Sequence, residues 1–140
     1  MRSPVELTEA FRQRGLKVTP QRQCIFRILN GNSSHPSAEA VYEAAVAEMP
    51  TISLRTVYQT LNDLADMGEI QALDLGTGSA RFDPMTEGHS HTVCIRCGAV
   101  RDVLVDVASV QLPHRVAREF SLRATEVVFR GVCNQCESAS

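Results

Sequence analysis

Apolar positions in the first half of the chain recur at helical spacing. Residues 5–14 read as a short amphipathic helix with Val5, Leu7, Ala10 and Phe11 as its apolar residues, and Gly15 ends the run. Thr19 before Pro20 predicts a second helix over 20–29, with Cys24, Ile25, Ile28 and Leu29 inward and Arg22 and Gln23 outward. A loop over 30–34 follows. Ser37 is the expected cap of a third helix with Ala38, Val41, Tyr42 and Ala45 as its apolar side. Ser53 caps a fourth, running to about Met67 and stopped by Gly68. Its inner stripe is Leu54, Val57, Leu61, Leu64 and Ala65. Arg55, Gln59 and Asn62 lie opposite, with Tyr58 at the edge and Thr56 near the first turn. The period then changes from 3.6 to 2. Residues 69–75 alternate, 76–79 read as a turn, and 80–83 start a return strand.

Arg, Gln and Asn side chains make bidentate contacts to base edges in the major groove. On its own, helix four reads more simply as an amphipathic helix with a solvated face. A hairpin directly after it predicts a winged helix-turn-helix over 1–83. Residues 84–88 read as a hinge. Beyond it, strands are expected over 99–105 and 122–129, with a helix within 106–119 that starts near Pro113. The expected class is α+β, a winged-helix domain followed by a small α/β dimerisation domain over 89–140. That second unit is too small to be stable without staples or a partner. A bound metal is one staple, and a sheet continued across a two-fold axis is another.

Chemistry concentrates at the start of the second unit, in His-Ser-His-Thr-Val-Cys-Ile-Arg-Cys over 89–97. In an extended strand His89 and His91 share a face and can grip one ion. Cys94 and Cys97 have the spacing of a zinc knuckle, and Cys133 and Cys136 repeat it near the C-terminus. Four thiolates predict a closed tetrahedral zinc site. Two disulfides or a redox dithiol are the other readings of the cysteines, and neither explains the histidines.

Composition adds a few limits. A hydrophobic fraction of 44% and a charged fraction of 21% are ordinary for a globular protein. No signal-peptide pattern or membrane-length apolar run occurs, so a cytoplasmic protein with reduced thiols is expected. Cys24 then reads as a small buried hydrophobe. The net charge of −2 does not point to nucleic acid. Its distribution is weakly informative, since residues 1–60 carry seven Arg or Lys against five acids.

Several stretches together resemble the ferric uptake regulator family over nearly the whole chain. They are Leu-Lys-Val-Thr-Pro-Gln-Arg (16–22), His-Pro-Ser-Ala-Glu (35–39), Arg-Thr-Val-Tyr-Gln-Thr-Leu (55–61), Ala-Arg-Phe-Asp (80–83), His-x-His-x2-Cys-x2-Cys-Gly (89–98) and the last Cys-x2-Cys. The resemblance implies a dimeric, metal-responsive repressor that binds a palindromic site on double-stranded DNA. The DNA contacts it implies are Arg22, Arg55, Thr56, Tyr58 and Gln59.

The resemblance also implies a regulatory metal site made by His35, Asp83, His89, His91 and Asp102. Three imidazoles and two carboxylates suit iron(II) or manganese(II), whereas four thiolates suit zinc. Both acids are aspartate here, as in the family's peroxide-sensing repressors. Iron-uptake regulators typically carry glutamates, and zinc-uptake regulators tend to place cysteine at the first position. Sensing would then run through iron-catalysed oxidation of His35 or His89. The alternative is an iron-responsive regulator without peroxide sensing. A further site found in iron-uptake regulators is in doubt, because Ser90 and Thr125 stand at its positions. His114 matches no ligand pattern. A metal-dependent hydrolase built on the same ligands would leave the winged helix unexplained, so no enzyme is expected; salt-dependent DNA binding separates the two.

Overall fold

The computed structural model describes residues 1–76, 78–86 and 89–139. The chain divides into two compact units, Met1–Thr86 and Glu87–Ser140. The turn expected at 76–79 includes Thr77, and the hinge expected at 84–88 includes Glu87 and Gly88; these three lie outside the described residues.

In the first unit, local capping sets each helix start. α1 (Pro4–Gln13) opens on a reciprocal box between Ser3 and Glu6, with Pro4 at the first helical position. In α2 (Pro20–Leu29), α3 (Ala38–Glu48) and α4 (Leu54–Asp66), the hydroxyls of Thr19, Ser37 and Ser53 accept from the third backbone N–H along. Gly68, at φ +74°, ends α4. β1 (Gln71–Leu73) and β2 (Arg81–Asp83) then pair antiparallel, with Ala72 opposite Phe82.

The core of this unit joins Leu7, Phe11, Cys24, Ile25, Phe26, Leu29, Val41, Val57, Leu61, Leu64 and Phe82. Phe11 and Phe26 meet edge-on at 4.9 Å, a favoured aromatic geometry. Val5, though apolar, is 81% exposed, because it lies on the opposite side of α1 from the buried Leu7, Ala10 and Phe11. Phe26 takes a fully buried position while Ile28 is half-buried. Leu54, in the first turn of α4, is exposed.

The second unit is a three-stranded sheet in the order β4-β3-β5, made of β3 (Ser90–Cys94), β4 (Val100–Val103) and β5 (Val128–Gly131). β3 pairs antiparallel with β4 and parallel with β5. Because β4 has already returned the chain, the connection over residues 104–127 brings β5 to the other edge of β3, parallel to it. Only α5 (His114–Ala117) is helical there, directly after Pro113. The strand expected over 122–129 begins at Val128 and runs to Gly131. α6 (Asn134–Ser138), which hydrophobic patterning did not predict, carries the last cysteine. Leu104, Val110, Val116, Phe120, Leu122 and Phe129 are exposed, and the buried apolar side chains of the unit are Val93, Cys94 and Val100. So small a core needs support from elsewhere. Among the described residues, no helix is long and apolar enough to cross a membrane.

Candidate metal centres and nucleic-acid interface

Four sulfurs converge in the second unit. Cys94 ends β3, Cys97 lies in the turn before β4, Cys133 caps α6 and Cys136 lies within it. All are free thiols, and their sulfurs lie within 4.8 Å of one another. Gly98, at φ +74°, makes the tight turn, and its N–H donates to the Cys94 carbonyl at 2.9 Å. The Cys97 and Cys133 N–H groups point at the Cys94 sulfur, at 3.5 and 3.4 Å. These N–H groups draw the Cys94 thiol down to about 6, whereas hydrogen bonding to Cys133 pushes the Cys136 thiol up to about 12. The Cys97 and Cys133 sulfurs are 3.8 Å apart. A tetrahedron with Zn–S bonds of about 2.3 Å has an edge of about 3.8 Å. The site suits zinc, which replaces the protons that hold the thiols.

Imidazole–carboxylate groups occur in each unit. In the first, His35 Nε2 lies 3.1 Å from Asp83 Oδ2, and both side chains are buried. Asp83 Oδ1 also accepts from the Met85 N–H at 2.9 Å. The His35 backbone is left-handed, at φ +52°, the sole non-glycine with positive φ among the described residues. For an L-residue this costs about 1–2 kcal/mol. A residue before proline is normally extended as well.

In the second unit, the β3–β4 register sets His91 opposite Asp102. Asp102 Oδ1 lies 2.7 Å from His89 Nε2 and 3.3 Å from His91 Nε2. The imidazoles themselves are 4.4 Å apart. Thus the structure brings together His35 with Asp83, and His89 and His91 with Asp102. A carboxylate beside imidazoles is a mixed O/N donor set, which suits iron(II) or manganese(II) rather than a thiophilic metal.

The residues expected at DNA lie in the first unit. Arg55, Tyr58, Gln59 and Asn62 are exposed on α4. Arg55 makes no ion pair among the described residues. The Tyr58 hydroxyl donates to Glu39 at 2.6 Å, which holds that carboxyl below its ordinary value. Thr56 is half-buried, and both its N–H and its hydroxyl engage the Ser53 hydroxyl. Arg22 differs from the outward residue that helical spacing implies. Its side chain is 12% exposed and 3.2 Å from Asp63 of α4. Its guanidinium also donates to the Lys17 carbonyl at 2.9 Å and lies over the Phe11 ring at 5.4 Å. This geometry makes Arg22 a brace across α1, α2 and α4.

Hydrophobic pattern gave no sign of Glu39, Asp63 or Arg81 as supports. Arg81 lies within the Ala-Arg-Phe-Asp stretch, but strand alternation says nothing of its reach. The Arg81 guanidinium donates to the His35 carbonyl at 3.2 Å.

The family model for the ferric uptake regulator family matches residues 13–130. A peroxide-responsive repressor of Staphylococcus aureus is 35% identical over 137 residues, covering 94% of this chain and 90% of its own. Among solved structures, the ferric uptake regulator of Vibrio cholerae is 30% identical with a TM-score of 0.74, covering 91% of this chain and 99% of the other. A peroxide-sensing regulator from Streptococcus pyogenes is 26% identical with a TM-score of 0.56, covering 97% and 94%.

Proposed function

This chain belongs to the ferric uptake regulator family, and on that premise we propose that it is a metal-dependent, DNA-binding transcriptional repressor that senses peroxide. The observation that carries the peroxide reading is aspartate as the acid in both imidazole–carboxylate groups, Asp83 beside His35 and Asp102 beside His89 and His91. A similar peroxide-responsive repressor supports it.

The reading assigns Cys94, Cys97, Cys133 and Cys136 to a structural zinc. It assigns His35, Asp83, His89, His91 and Asp102 to one regulatory iron(II) or manganese(II). Donors drawn from both units would let that ion fix the angle between them and so fit a homodimer to a palindromic operator. Arg55, Tyr58 and Gln59 present the polar face of α4 to DNA. Arg22 and Thr56 support that helix from within. The protein acts in the cytoplasm, and its chemistry serves regulation rather than turnover of a substrate.

Iron(II) held there would supply the redox chemistry that cleaves the O–O bond of hydrogen peroxide next to a ligand imidazole. The peroxide, a two-electron oxidant, would turn a ring C–H of His35 or His89 into C–OH, its second oxygen leaving as water. An oxidised imidazole is a poorer donor, so the ligand set is lost and DNA is released. With manganese the same residues support repression but are not oxidised.

Mass spectrometry of the iron-loaded protein, before and after a low dose of peroxide, tests this reading. One added oxygen on His35 or His89 is the expected result. Unmodified histidines, with the iron loaded, would leave an iron-responsive regulator without peroxide sensing.

A further inference from the structure

Three consecutive residues of β2 hold one dipeptide. The Arg81 guanidinium donates to the His35 carbonyl at 3.2 Å. The Phe82 N–H donates to the Pro36 carbonyl at 2.9 Å. The Asp83 carboxylate lies 3.1 Å from His35 Nε2. The dipeptide needs holding, because His35 is fully buried and left-handed at φ +52°. Few non-glycine residues adopt that conformation, and a residue before proline is steered away from it toward extended backbone. Strain of this kind persists only where the surroundings over-determine it.

The three contacts act on different parts of the dipeptide. Asp83 meets the imidazole, and Phe82 anchors the proline through main chain alone. The Arg81 side chain grips the His35 backbone, at its carbonyl. It is also fixed at its base, opposite Leu73 in the β1–β2 pairing. A guanidinium is suited to this, since its rigid fork donates without shifting protonation state.

We propose that Arg81 is a positioning residue for the regulatory metal, acting through His35 by holding its backbone left-handed so that the imidazole stays aimed beside Asp83. The proposal rests on the metal reading given above. It makes β2 a strap that carries a ligand at one end, in Asp83, and sets a second, in His35, from the other.

The test is manganese(II) binding by calorimetry to full-length, zinc-replete protein, with helical circular dichroism and zinc content as checks on folding. Arg81→Met keeps the apolar stem and removes the donors. It is expected to weaken manganese binding about tenfold to a hundredfold, as loss of a residue orienting a ligand does. Arg81→Lys, which keeps a donor, is expected to recover part of the loss. In a His35→Ala background, Arg81→Met is expected to change affinity by no more than about twofold, because two changes acting through one ligand are not additive. Wild-type affinity in Arg81→Met, or an equal loss with and without His35, would overturn the proposal. If wild type and His35→Ala bind manganese alike, the metal reading itself fails and takes the proposal with it. Should Arg81→Met not fold, Arg81→Leu, which likewise lacks a donor, supplies the same comparison.

Discussion

Arg22→Ala separates a brace from a DNA contact. The guanidinium makes three contacts within the first unit, to Asp63, to the Lys17 carbonyl and to the Phe11 ring. A partly screened ion pair contributes about 1 kcal/mol. The hydrogen bond to a carbonyl adds about 1 kcal/mol. The cation over an aromatic ring adds about 0.5–1 kcal/mol. These contacts share one side chain and do not add fully, so about 2 kcal/mol is expected. For a unit of this size, that is a fall in Tm of about 8–16 °C. The assay is a thermal melt of the zinc-replete protein followed by helical circular dichroism. It is paired with DNA binding at several salt concentrations, well below the lowered Tm. As a brace, Arg22 leaves the salt dependence of DNA binding unchanged. A Tm within about 2 °C of wild type, together with a log–log salt slope reduced by about 1, would refute the reasoning and make Arg22 a phosphate contact.

Three further outcomes are expected. Cys133→Ser should lose zinc and the dimer together, because metal binding and folding are linked in so small a unit; metal analysis with size-exclusion chromatography checks this, and a dimer with full zinc would remove the four-thiolate assignment. Arg55→Ala should weaken operator binding by about 1–3 kcal/mol if it reads a base; equal affinity in a folded protein, by fluorescence anisotropy, would turn that face of α4 away from DNA. Asp102→Glu should still repress with iron or manganese but hold DNA through peroxide, because a carboxylate one methylene longer meets the metal differently; release at the wild-type rate would deny Asp102 that part.

What was legible in the sequence follows from how local the cause is. Thr19-Pro20 and Ser53 set the starts of α2 and α4 through their own hydroxyls, so short-range rules find them. The knuckle cysteines and the alternation of His89 and His91 are equally local. The connection between β4 and β5 was not legible in the same way. Over 104–127 the apolar side chains Leu104, Val110, Phe120 and Leu122 face solvent in the single chain. Apolar periodicity there does not report an inner face, so the helix and strand it implied shrink to His114–Ala117 and Val128–Gly131. Arg22 shows a second limit. Helical spacing places a residue on a face, but only the packing of α1 and α4 shows what it meets. The left-handed His35 shows a third. Its sequence context, before Pro36, implies extended backbone, and the restraints come from β2, some 46 residues later.

In the proposed function, iron at the His/Asp ligands converts peroxide into loss of DNA binding. Its most direct test is fluorescence anisotropy on labelled operator DNA with zinc-replete protein loaded with iron(II) or with manganese(II), before and after one low dose of peroxide. Both forms are expected to bind at first, and peroxide to release the DNA from the iron form alone, with the manganese form and its anisotropy unchanged. Iron-loaded protein that keeps its DNA through the same dose would contradict it.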